Sequence, residues 1–216
     1  MYDMNDGTHR FRDVDIDEGK VGWQQKGFRE YLLCSVCEGK FSAYERYGAE
    51  FFRNLDGLNT VRHKKRRVVT GLDYSKMRMF FLSMLWRAGV ASIDIFQHVK
   101  LGPHEAKLKE VLRGETSCEN WQYPFLMCAL TMRGKPWNGV LVEPTPTRLF
   151  GQRGYKFVFK GFLLFFFVSG RPLPDRILDY SLRPNGSLVI LDFEADEVKF
   201  LRDLMQRVAK RFPGES

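Results

Sequence analysis

Apolar positions in the first half of the chain recur every three to four residues; beyond about residue 138 they alternate or run together. Phe41, Tyr44, Gly48, Phe51, Phe52 and Leu55 fall near one face at helical spacing, which predicts a helix from Cys34 and Cys37 to about residue 55, stopped by Asp56-Gly57. Val68-Val69-Thr70 is short and β-like. Met77, Phe80, Phe81, Met84 and Leu85 form the wide apolar stripe of a second helix over 74–88. Such a Met and aromatic stripe reads as core, not as a cofactor site. A third helix is expected to open near Pro103, carry Ala106, Leu108, Val111 and Leu112, and end at Gly114. Residues 1 to about 30 read as irregular. The acids Asp13, Asp15, Asp17 and Glu18 lack the glycine and distal glutamate of a calcium loop, so a solvated loop is expected there.

After residue 138, segments 139–143, 148–150, 155–160 and 162–169 are rich in β-branched and aromatic residues, as strands are. The run Phe162 to Phe167 suits a central strand buried on both faces, although an aromatic-rich partner surface is the alternative. Two further strands, 177–182 and 188–193, are expected to flank an Asn185-Gly186 hairpin turn, since both residues tolerate positive φ. A last amphipathic helix over about 195–211 would turn Val198, Leu201, Leu204, Met205 and Val208 inward. Helices, then an antiparallel sheet, then a packing helix predict an α+β fold. The loop around Pro136 divides the chain into a helical region, 1–136, and a sheet with its helix, 137–216, with one continuous domain as the alternative.

Bulk properties narrow the function. The 216 residues are 44% hydrophobic and 28% charged, enough for a sizeable core and too mixed for wholesale disorder. A formal net charge of +8 and a pI near 9.4 favour polyanionic partners, nucleic acid first. The N-terminus has no basic and apolar leader, and the longest apolar run, 162–168, is far short of the roughly 20 residues a membrane helix needs. Four cysteines are not a disulfide framework. The expectation is a cytoplasmic protein with no membrane partner. No P-loop, dinucleotide fingerprint, serine-hydrolase elbow or zincin motif is present, so those chemistries lose their usual support.

Cys34-Ser35-Val36-Cys37, reached by a short apolar stretch and followed at once by a helix, is the most pointed chemistry in the chain. Two thiolates three residues apart can bind one zinc ion, and a helix N-terminus favours their charge. The arrangement is that of the closing half of a treble-clef zinc finger. The stretch from Gln25-Lys26-Gly27-Phe28-Arg29-Glu30 through Leu32-Leu33-Cys34 to Glu45 resembles a segment of uncharacterised bacterial and phage proteins related to HNH endonucleases. Tyr2-Asp3, His9-Arg10-Phe11, the segment 73–87 with Leu85-Trp86-Arg87, and Leu101-Gly102 are similar to other parts of those proteins. The resemblance implies zinc at Cys34 and Cys37. It also implies an upstream block with a second cysteine pair and a histidine motif, neither of which this chain contains. The expectation is an N-terminally truncated or degenerate relative, with His9, His63, Cys118 and Cys128 the remaining ligand candidates, none at a spacing that recommends it. Cys118 and Cys128 read better as core.

Arg62, Lys64, Lys65, Arg66 and Arg67, with His63 among them, form the second candidate site. Adjacent cations can meet adjacent phosphates, and such binding weakens steeply with salt. A solvated loop or a charged sheet edge is the plainer alternative. His98 and His104, six apart, lack helical metal spacing, and Asp73 reads as an N-cap. The leading expectation is a non-catalytic module that binds nucleic acid, DNA before RNA, through these five cations. A protein-interaction component of a phage or mobile-element system ranks second. A metal-dependent nuclease whose ligands are completed elsewhere ranks third.

Overall fold

The computed structural model describes residues 11–14, 21–24 and 32–211. In chain order the elements are β1 (Phe11–Val14), β2 (Val21–Gln24), α1 (Ser35–Arg53), β3 (Thr60–His63), β4 (Arg66–Val69), α2 (Tyr74–Val90), α3 (Pro103–Arg113), β5 (Phe125–Met132), β6 (Lys135–Pro136), β7 (Val140–Leu149), β8 (Gln152–Phe159), β9 (Phe162–Phe167), α4 (Asp175–Leu178), β10 (Leu188–Glu194) and α5 (Lys199–Arg211). The fold is α+β: helices dominate the first half, and a largely antiparallel sheet with the packing helix α5 dominates the second. The sheet order is β2-β1-β7-β8-β9-β5-β10-β4-β3, with β6 pairing off β5. Two contacts are parallel, β1 with β7 and β5 with β10, so the sheet is mixed. Residues on both sides of position 136 supply neighbouring strands.

The helices start and stop where local chemistry demands. Asp73 caps α2, its Oδ1 accepting from the Lys76 amide at 3.0 Å. Pro103 sits in the first turn of α3, and Gly114 closes that helix in the left-handed conformation at φ 79°. The stripe of α2 is core, with Met77, Phe80, Phe81 and Leu85 all buried. The α1–α2 contact is close because Gly48 carries no side chain: a Cβ there would lie 2.5 Å from the Phe80 ring. Phe52 then joins α1 to the sheet, its ring 5.1 Å from that of Phe159 and 5.2 Å from that of Phe162.

The sheet is covered on both faces. Met127, Phe157, Leu164, Phe166 and Ile190 pack with α1, α2 and α3. Cys128, Leu130, Val158 and Leu163 pack with Leu201 and Leu204 of α5. This two-sided burial explains the unbroken apolar run of β9, a strand seated between β8 and β5.

Three expectations are corrected. The first 30 residues are not wholly irregular, since β1 and β2 pair antiparallel there. Segment 177–182 is not a strand: the short helix α4 follows Pro174, and the chain then turns through Tyr180 and Ser181. Asn185-Gly186 therefore closes a turn but not a hairpin. Gly186 is needed for a different reason. It adopts φ 76°, its carbonyl accepts from the Leu72 amide at 3.0 Å, and a Cβ would come within 2.2 Å of the Leu72 oxygen. Among the described residues the two-residue hairpin turns lie elsewhere: Arg133-Gly134, Phe150-Gly151 and Lys160-Gly161 have both residues at positive φ, and Lys64-Lys65 has Lys64 alone there.

Candidate functional site

Cys34 is the N-cap of α1, with extended backbone (φ −74°, ψ 161°), and Cys37 lies in the first turn. Cys34 is exposed, and Cys37 is half-buried. Cys34 makes no capping hydrogen bond of normal geometry. The neighbouring amide and thiol of Cys37 nevertheless favour its thiolate and hold it below the ordinary thiol range. The Cys37 thiol is displaced the other way, chiefly by its hydrogen bond toward Cys34. The two cysteines line a cavity of about 510 Å³ together with Phe41, Trp86, Lys109 and Arg113. Its floor is firm: Trp86 meets Phe41 edge to face at 6.5 Å, and the Arg87 guanidinium sits 5.3 Å over the Phe41 ring while pairing with Glu45.

Zinc in a structural site takes four ligands, and this pair supplies two. Among the described residues no group of three or more His, Cys, Asp or Glu side chains is placed to hold a metal ion. His63 is exposed on β3. Cys118 receives the Arg78 guanidinium at 2.9 Å, part of a cluster that also holds the Glu119 carbonyl and pins the loop before β5. Cys128 is buried in β5, and burial pushes its thiol up to about 12. His9 lies outside the described residues.

The basic run forms the β3–β4 hairpin at one end of the sheet, with Arg62 opposite Arg67, His63 opposite Arg66, and Lys64-Lys65 as the turn. The five cations meet different fates. Arg67 is buried and pairs with Asp192 of β10 at 2.6 Å. The Lys65 ammonium bridges both oxygens of Glu197, at 3.0 and 2.9 Å. Arg62, Lys64 and Arg66 are exposed. The hairpin and the cysteine pair are not brought together along the chain. One follows the C-terminus and the other opens the N-terminus of α1, a helix of 19 residues and about 28 Å.

A third grouping escaped the sequence. The Glu143 carboxylate in β7 is buried, beside a break in the β7–β8 register between Val142 and Thr145. It accepts from Gln97 Nε2 at 3.3 Å and lies 3.3 Å from His98 Nε2. His98 borders a second cavity of about 400 Å³ lined also by Lys156, Phe200, Asp203 and Arg207. Lys156 lies 4.0 Å over the Phe200 ring, and burial depresses its pKa. Nothing in local spacing joins residues 46 apart, so only the folded chain could show the Glu143 contacts.

Compared with family models, curated proteins and solved structures, the chain matches none. Among the described residues no helix is long and apolar enough to cross a membrane.

Proposed function

We propose that this protein binds nucleic acid through the β3–β4 hairpin, with duplex DNA as the preferred form. The observation that carries the reading is the exposure of Arg62, Lys64 and Arg66 on the hairpin that forms one edge of the sheet. The turn end of such a hairpin can approach the wide major groove of B-form DNA, whereas the deep, narrow major groove of an RNA helix excludes it. The net charge of +8 adds long-range attraction. By exposure, phosphate contact is assigned first to Arg62, Lys64 and Arg66 among the five cations of the sequence motif. Lys65 is exposed but pairs with Glu197, and Arg67 is buried and anchors β4 to β10. The role is one of binding, and no reaction is assigned to it.

Fluorescence anisotropy with a labelled 20-base-pair duplex, run over a salt series, tests the proposal. Each phosphate neutralised contributes about −0.9 to the slope of log affinity against log salt. The triple variant Arg62→Ala, Lys64→Ala, Arg66→Ala is expected to lose about 2 to 3 of that slope while its melting temperature stays near wild type. Absence of binding at low salt, or an unchanged slope in the variant, overturns the reading. In that event the charges serve to keep the edge strand from pairing with another chain.

A further inference from the structure

We propose that Cys34 and Cys37 form a dithiol–disulfide couple that exchanges with peptidic disulfides, Cys34 attacking and Cys37 resolving. The inference is independent of the nucleic-acid reading and concerns the opposite end of α1.

Three placements carry it. The cysteines are ordered by access, with Cys34 exposed at the N-cap and Cys37 half-buried in the first turn of α1. Cys34 is the N-cap, outside the helical backbone region, so its sulfur can close on Cys37 without unwinding α1. Second, the surface beside them suits an incoming disulfide with peptide flanks. Val36, between the two cysteines, is 70% exposed, and Lys109 and Arg113, against the single acid Glu105, give the adjoining cavity the charge to meet carboxylates. Third, Trp86 lines the same cavity, is only 6% exposed, and its indole N–H has no acceptor among the described residues. A buried donor in this state is costly unless water or a bound group accepts from it.

The step balances with a disulfide as oxidant. The Cys34 thiolate attacks one sulfur of the disulfide, forming a mixed disulfide and expelling a thiolate. Cys37 then attacks the Cys34 sulfur, forming the Cys34–Cys37 bond and expelling the second thiolate. The protein loses two electrons, and the two protons of its thiols pass to the two released thiols.

The test uses the full-length protein and oxidised glutathione. Free thiols are trapped by alkylation under denaturing conditions, and products are mapped by peptide mass spectrometry. Wild type is expected to lose two hydrogens, linking Cys34 to Cys37, while Cys118 and Cys128 are recovered alkylated. Cys37→Ser is expected to accumulate glutathione on Cys34. Cys34→Ser is expected to consume oxidised glutathione on the order of tenfold more slowly or less. Circular dichroism checks that both variants are folded. The proposal fails if wild type stops at a stable glutathione adduct, or if Cys34→Ser reacts at the wild-type rate. It also fails if the isolated protein carries one zinc per chain and its cysteines exchange only after chelation, the result that would assign the pair to a metal.

Discussion

Single residues show how one side-chain type is put to different uses. Asp73 accepts from the Lys76 amide and also pairs with the Lys76 ammonium at 3.0 Å, and these contacts hold its carboxyl below the usual aspartate range. A cap of this kind contributes about 1 kcal/mol, so Asp73→Ala should lower stability by that amount near neutral pH. The pH dependence follows from the direction of the shift. The native carboxyl binds its proton less tightly than the unfolded one, so the contribution of the charge is complete above the unfolded value of about 3.9. It is lost as pH falls through the lower native value. Thermal melts at pH 7 and pH 3 should show the gap between wild type and Asp73→Ala closing in acid. A constant or widening gap would refute the capping account. The basic run gives the complementary lesson. In sequence Lys64, Lys65, Arg66 and Arg67 are equivalent, yet strand alternation and the approach of Asp192 and Glu197 separate solvated cations from structural ones. Those acids lie more than 120 residues away along the chain, so the separation was not legible in the motif.

At the scale of elements, helices were more legible than sheet partners. The signals for α1, α2 and α3 are local: a period near 3.6, the Asp73 cap, Pro103 and Gly114. The strands β7, β8, β9 and β10 also announced themselves by composition, but their pairing did not. The Asn-Gly signal misled because Gly186 serves a contact with Leu72, while the hairpin turns at Phe150 and Lys160 use residue types that seldom take positive φ. β5 is not legible in the sequence because a strand buried on both faces has no alternating pattern. Of the candidate site, the Cys34–Cys37 spacing was legible, whereas the cavity beside it required α1, α2 and α3 to be assembled. The α1–α2 contact supplies a test. Ala is a better helix former than Gly by about 1 kcal/mol, so an exposed Gly→Ala change stabilises. At Gly48 the new methyl would press on the Phe80 ring, itself fully buried, and overpacking of this kind costs about 1–3 kcal/mol. Gly48→Ala is therefore expected to lower the urea midpoint with little change in slope, and Gly39→Ala, where nothing lies within 4 Å, to raise it. A Gly48→Ala variant as stable as Gly39→Ala would show that this helix pair is not closely seated.

On the scale of the whole molecule, one sheet ties the two halves of the chain together. β10 lies between β5 and β4, and β9 lies between β8 and β5, so three of the four neighbours of these two strands come from upstream of residue 137. The helices that cover Phe157, Leu164, Phe166 and Ile190 also come from upstream. A fragment spanning 137–216 keeps β7, β8 and β9 in register but leaves β9 without β5 and β10 without either neighbour. Its aromatic face would then meet water, and edge strands with exposed apolar faces associate. The full chain is expected to melt in one cooperative transition, with calorimetric and van't Hoff enthalpies equal. The fragment is expected to bind a hydrophobic dye strongly, to show no cooperative melt, and to aggregate at micromolar concentration. Light scattering and calorimetry on the two species decide the matter. A monomeric fragment with its own sharp transition would mean that the sheet's C-terminal strands form a separable unit, and that β5 and β4 dock onto a structure already complete.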